Sequence, residues 1–92
     1  MLKTKKICVV VPAYNESSQI ENVIHTMPPF VDKIVVVDDA SSDNTAKLVE
    51  QMAHANKTIE LIRHEHNQGV GGSISTGYKW ARDNDYDVTA VM

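Results

Sequence analysis

Two aspartates, Asp38 and Asp39, stand side by side directly after four apolar residues, Ile34-Val35-Val36-Val37. Adjacent carboxylates at the end of a buried strand repel each other and suit hydroxyls, imino protons or a metal. Side chains alternate along a strand, so the two point different ways. The expectation is one structural carboxylate and one that faces a ligand. In the plainer alternative Asp38 caps nearby amides and Asp39 is solvated. A second polar cluster, Pro12-Ala13-Tyr14-Asn15-Glu16, follows the run Ile7-Cys8-Val9-Val10-Val11. Pro12 has no N–H to give a ladder and is expected to end the strand, leaving Tyr14 and Glu16 to project at its edge. A phenol ring can stack on a nucleobase, and a carboxylate can accept hydrogen bonds from ribose hydroxyls or a base. Equally, the segment reads as a plain turn with an Asn15 cap.

Further along, Asn67-Gln68-Gly69-Val70-Gly71-Gly72 resembles a phosphate loop. It follows a third apolar run rather than the first, where a dinucleotide fingerprint would stand, and no phosphate-binding lysine comes after it. Glycines that let a helix entry approach neighbouring backbone are the favoured reading. His64-Glu65-His66 lacks a third ligand and reads as solvated surface, not a metal site. Cys8, inside a buried run, is a small core residue. Trp80 and Tyr86 read as packing or rim residues. No set of nucleophile, base and orienting group is recognisable, so no catalytic residue is assigned.

The elements that must position these residues alternate in period. The runs 7–11 and 34–37 are apolar on both sides and β-branched, as in parallel strands covered on both faces. Ile20, Val23, Ile24 and Met27 fall at helical spacing, with Ser18 and Glu21 in the form of a capping box and Pro28-Pro29 as a stop. Ser41, Ser42 and Asp43 offer caps to a second helix marked by Leu48, Val49 and Met52. Ile59–Ile62 is a third strand. Ile74, Tyr78 and Ala81, extended by Val70, mark the face of a third helix, and residues 88–92 begin a fourth strand. This βαβαβαβ order predicts right-handed crossovers and a Rossmann-like, three-layer α/β/α fold with a mainly parallel sheet. Ligands in such folds bind beyond the carboxyl ends of the strands. All three polar loops belong at that edge, and Lys3, Lys5 and Lys6 at the other.

With 92 residues, one domain is possible and two are not. An apolar share of 42% and a net charge of −3 favour a globular chain and speak against a nucleic-acid surface. One cysteine cannot form an internal disulfide, which suits a reducing, cytoplasmic setting. No apolar run approaches the ~20 residues that span a bilayer.

The segments 10–16, 36–45 and 67–71, taken together and in this order, resemble the start of the GT-A-fold glycosyltransferases of the large inverting family that includes dolichol-phosphate mannosyltransferases and many polysaccharide synthases. The resemblance covers nearly the whole chain. It implies strand order 3-2-1-4 and a nucleotide-sugar donor, UDP- or GDP-linked, whose base and ribose sit on these residues. Carried over by position, Pro12, Ala13, Tyr14 and Glu16 match the first donor-binding loop. Asp39 matches the carboxylate that contacts the base, with Val37 beside it and Asp38 as its structural partner. Gly69 and Gly71 match the loop near the ribose and diphosphate. In this family a DxD-type motif after the fourth strand holds a divalent cation, Mn or Mg, on the diphosphate. Residues 1–92 are therefore expected to be a partial, nucleotide-binding half of the domain, with metal ligands and general base beyond Met92 and no cation of its own.

Such a half is expected to be inactive alone, to bind nucleoside diphosphates weakly, and to self-associate through the apolar edge Val88-Thr89-Ala90-Val91. The parent enzyme would act in the cytoplasm or at the cytoplasmic membrane face. Two other classes remain open. A sugar-nucleotidyltransferase would need a basic glycine-rich loop after the first strand. A receiver-type signalling module would need its acidic pair there and a phosphoacceptor aspartate after the third.

Overall fold

A computed structural model describes residues 5–92; Lys3 lies outside the described residues. Seven elements follow in order: β1 (Ile7–Ala13), α1 (Ile20–His25), β2 (Lys33–Asp38), α2 (Thr45–Ala55), β3 (Ile59–Arg63), α3 (Gly69–Asp83) and β4 (Val88–Val91). The strands form one sheet in the order β3-β2-β1-β4, and every pairing is parallel. The expected Rossmann-like α/β/α architecture is therefore the observed one. Val10, Val35, Val36 and Val37 are fully buried, as a strand covered on both faces requires.

Each face of the sheet carries its own core. Val9, Val11, Ala13, Ile34 and Val36 pack with Ile20 and Ile24 of α1 and Val49 of α2. Cys8, Val10, Val35 and Val37 pack on the other face with Ala81 of α3. Burial raises the Cys8 thiol to about 11, so it stays protonated and inert. Trp80 and Tyr86 close that core from the side, their rings stacked with centroids 5.6 Å apart.

Three local expectations are corrected. β1 runs through Pro12 to Ala13 instead of ending before it. Val10 accepts from the Met92 amide on the β4 side and Ala13 from the Asp39 amide on the β2 side. By alternation Pro12 faces β4, where pairing stops at Val10, so its missing N–H costs the β2 ladder nothing. The Ser18–Glu21 capping box does not form: α1 begins after Gln19 with no side-chain cap, and Glu16 C=O accepts from the Gln19 and Ile20 amides. Finally, α3 buries Ser73, Gly77 and Ala81, while Val70 and Tyr78 are exposed. A Cβ on Gly77 would collide with Val10 Cγ1. The helix thus approaches β1 through its small residues, a stripe that a search for large apolar side chains overlooks.

Candidate functional site

The chain leaves β3 at one edge of the sheet and returns in β4 at the other, so the strand order reverses beside β1. That switch point is where sheets of this kind open a crevice at their carboxyl ends. The loop after β1 is fixed there by the loop after β2. The Asn15 amide donates to Ser41 Oγ at 2.9 Å, and the Ser42 amide to Asn15 Oδ1 at 2.9 Å. The Glu16 amide donates to Thr45 Oγ1 at 2.9 Å and the Ser17 amide to Asp43 Oδ2 at 3.2 Å. The amides before α1 are therefore capped by side chains from a different loop. Asp43 also accepts from the Thr45 hydroxyl and amide. The Thr45 hydroxyl bond is the main cause that lowers the Asp43 carboxyl to about 2. Asn15 and Ala40 sit at φ 53° and 61°, in the left-handed region. Asparagine tolerates this; alanine is strained there.

Asp38 and Asp39 are both buried, at 1% and 4% exposure, so neither is solvated. They serve opposite sides. Asp38 Oδ2 accepts the Ser41 amide at 3.3 Å, and its Oδ1 has no hydrogen-bond partner among the described residues. Asp39 turns toward α3 and gathers three donors. His64 Nδ1 lies 2.9 Å from Oδ1, the Gln68 amide donates to Oδ1 at 2.7 Å, and the Gly69 amide to Oδ2 at 2.8 Å. Burial opposes ionisation of Asp39, but these hydrogen bonds outweigh it and hold the carboxyl below its usual range. Oδ2 keeps an acceptor position free. His64 Nε2 in turn lies 2.8 Å from Thr76 Oγ1 of α3.

His64 is the residue the sequence reading missed. Its side chain is 6% exposed, so the expectation of a solvated His64-Glu65-His66 surface fails for its first member. The available signal was its place directly after β3, at the same edge as Asp39. Gly69 and Gly71 also differ from expectation, whereas Gly72 packs closely at the helix entry as expected. Gly69 is needed for its φ of +80°, not for close packing, and a Cβ at Gly69 or Gly71 would meet nothing within 4 Å. The closely packed glycines are Gly72, where a Cβ would lie 2.7 Å from Gln68 Cβ, and Gly77, which rests on Val10.

The other expected site residues are placed as follows. Tyr14 is 51% exposed, and Glu16 is exposed beside it. Pro12 and Glu16 line a cleft with Ile20 and Met92 at the switch point. Ala13 and Val37 are buried in opposite cores and shape the strand ends. A second cleft, lined by Ala40, Ser41, Arg63, His64 and Glu65, opens next to the Asp39 clamp. Gly71 is exposed and borders a larger groove between α3 and β4 with Ile74, Tyr78 and Tyr86. Pro12, Tyr14, Glu16 and Asp39 are thus brought to one edge with Gly69, while Gly71 faces away toward the groove. Among the described residues no three His, Cys, Asp or Glu side chains converge as a metal site.

Residues 8–92 match the family model described as glycosyl transferase family 2. A UDP-N-acetylglucosamine–dolichyl-phosphate N-acetylglucosaminyltransferase from Methanococcus voltae is 35% identical over 96% of this chain and 40% of its own length. An undecaprenyl-phosphate mannosyltransferase from Micrococcus luteus is 26% identical over 95% of this chain and 37% of its own. Among solved structures, a Pyrobaculum calidifontis mannosyltransferase in complex with GDP-Man and Mn2+ superposes with a TM-score of 0.75 at 26% identity, over 83% of this chain and 24% of that one. Staphylococcus aureus TarS 1–349 in complex with UDP gives a TM-score of 0.75 at 26% identity, over 94% and 27%. The chain therefore spans two-fifths or less of the relatives it matches.

Proposed function

The chain belongs to glycosyl transferase family 2, and on that premise we propose that it is the donor-recognising part of a glycosyltransferase. In this reading residues 1–92 form a partial GT-A domain. It recognises the nucleoside of a UDP- or GDP-linked sugar that is transferred, with inversion, to a lipid-phosphate or saccharide acceptor. The nucleotides carried by the Pyrobaculum and Staphylococcus structures, and the dolichyl and undecaprenyl phosphates named for the relatives, support it.

One observation carries the proposal: the interlocked loops after β1 and β2 present an exposed aromatic ring and a carboxylate at the switch point, beside the Asp38–Asp39 pair. Tyr14 stacks on the base, Glu16 accepts from ribose, and the free position on Asp39 Oδ2 accepts a base N–H. The Asn67–Gly72 helix entry lies toward the ribose and diphosphate. The cation that offsets diphosphate charge, and the base that activates the acceptor, come from outside these residues. The same reading has the chain inactive in sugar transfer by itself.

Saturation-transfer NMR with uridine, guanosine and their diphosphates tests this. Weak binding is expected, with the uncharged nucleosides no worse than the diphosphates and with little gain from Mn²⁺ or Mg²⁺. Tyr14→Ala should weaken it about tenfold, on the ~1–3 kcal/mol scale of base stacking on an aromatic ring. Undiminished binding by Tyr14→Ala, or tight metal-dependent binding, contradicts the assignment.

A further inference from the structure

The Asp39–His64–Thr76 chain contains more acceptors than protons. Asp39 accepts from two backbone amides as well as from the imidazole. A carboxylate so surrounded is ionised and acts as an acceptor alone, so Nδ1 of His64 carries a proton in every state. Thr76 has one hydroxyl proton and two acceptors within reach: His64 Nε2 at 2.8 Å and the Gly72 carbonyl at 3.0 Å. With neutral His64, Thr76 O–H donates to the bare Nε2. With protonated His64, Nε2–H donates to Thr76 Oγ1, and the hydroxyl turns to Gly72 C=O. Both arrangements satisfy the imidazole, and they differ by one hydroxyl rotation. No heavy atom has to move.

We propose that His64 is a positioning residue that holds Asp39 in either proton arrangement, and that binding of an anionic nucleotide drives it to the protonated one. The clamp then changes from net charge −1 to zero while the Gly69 helix entry stays in place. This rests on the donor reading above. The charged groups around the imidazole are Asp39 directly after β2, and Arg63 and Glu65, which line the same cleft; Asp38, whose carbonyl accepts the His64 amide, is close across the sheet, and exposed His66 is close along the chain. From α3 the contact is the uncharged Thr76. The carboxylates at this edge, Glu16, Asp38, Asp39, Asp43 and Glu65, oppose an incoming diphosphate, and one proton on His64 relieves part of that opposition without opening the clamp. By linkage, whatever the proton contributes to diphosphate binding, the diphosphate returns to proton binding.

The test is ¹⁵N imidazole NMR of the whole chain against pH, alone and with uridine, UDP, guanosine and GDP. In the free protein the neutral ring should be the Nδ1–H tautomer. UDP or GDP should raise the proton affinity of His64 about threefold or more, the scale of one charge some 10 Å away in a partly solvated setting, and the nucleosides should not. Thr76→Val removes the partner of Nε2 in both arrangements, and because the bond from the charged imidazole is the stronger of the two it should lower that affinity; Thr76→Ser should restore it. A neutral Nε2–H tautomer, identical titration in Thr76→Val, or equal effects of nucleoside and diphosphate overturn the inference. If no nucleotide binds, backbone amides stay unperturbed, and the donor reading and proton coupling fall together. The tautomer and the Thr76 variants still decide the clamp.

Discussion

The two faces of the sheet are packed by different means. Under α1 and α2 the core is built from Ile20, Ile24 and Val49 against valines and isoleucine of the strands. Under α3 the helix contributes Ser73, Gly77 and Ala81 and comes close enough that Gly77 rests on Val10. The α3 face is also the one that carries the Asp39–His64–Thr76 clamp. Large aliphatic side chains give stability that tolerates small shifts. A glycine contact fixes the distance between helix and sheet, and the short hydrogen bonds of the clamp depend on that distance. The face with less apolar side chain therefore positions the clamp.

The largest effect should come from breaking the close approach. Gly77→Ala sets a methyl group into Val10, a stiff β-branched residue, and should cost about 3 kcal/mol in denaturant unfolding. It should also change the imidazole signal of His64. Val49→Ala on the other face should cost about 2 kcal/mol for the lost methyls and the cavity, yet leave that signal and nucleotide binding unchanged. Equal disturbance of the clamp by both variants would contradict the comparison.

Asp39→Asn keeps the size of the side chain and removes the charge that three donors share. A loss of about 2 kcal/mol is expected, the scale of hydrogen bonds to a charged group, together with loss of protection of the Gln68 and Gly69 amides in hydrogen exchange. Smaller and opposite in sign, Ala40→Gly relieves the left-handed strain at φ 61° and should stabilise the chain by about 1 kcal/mol. The smallest effect concerns acid. Asp39 and Asp43 are held below the ordinary carboxylate range, so their contribution is present above the unfolded-state pKa of roughly 4 and is lost as pH falls toward 2. Asp43→Asn should flatten that part of the stability curve. An unchanged acid limb would remove Asp43 from the account.

How far the sequence disclosed this arrangement follows from what each signal measures. Runs such as Ile34–Val37 announce buried parallel strands because they are short, β-branched and apolar on both sides, where a buried helix would be longer, and the strand order followed from the resemblance of the three loops. The loop positions followed from the strands. Periodicity of large apolar residues misjudged α3, since its buried stripe is Ser73, Gly77 and Ala81 while Tyr78 lies outside. The local capping rule failed at Ser18 because the donors before α1 are met from residues 43 and 45, 26 and 29 positions away in the chain. His64 escaped notice for the same reason: its partners Asp39 and Thr76 are remote in sequence, and a histidine between two polar residues carries no local mark of burial. Contacts between loops are legible only once the loops are placed.

The central claim is that the three interlocked loops at the carboxyl edge form a nucleoside site. Backbone amide shifts of the ¹⁵N-labelled chain, followed during titration with uridine and guanosine and then with UDP and GDP, test it most directly. The account predicts perturbations grouped at Tyr14, Glu16, Asp39 and Gly69, with Thr89 and Tyr86 of the α3–β4 groove unmoved. Shifts confined to that groove, or none at millimolar nucleotide, would contradict it.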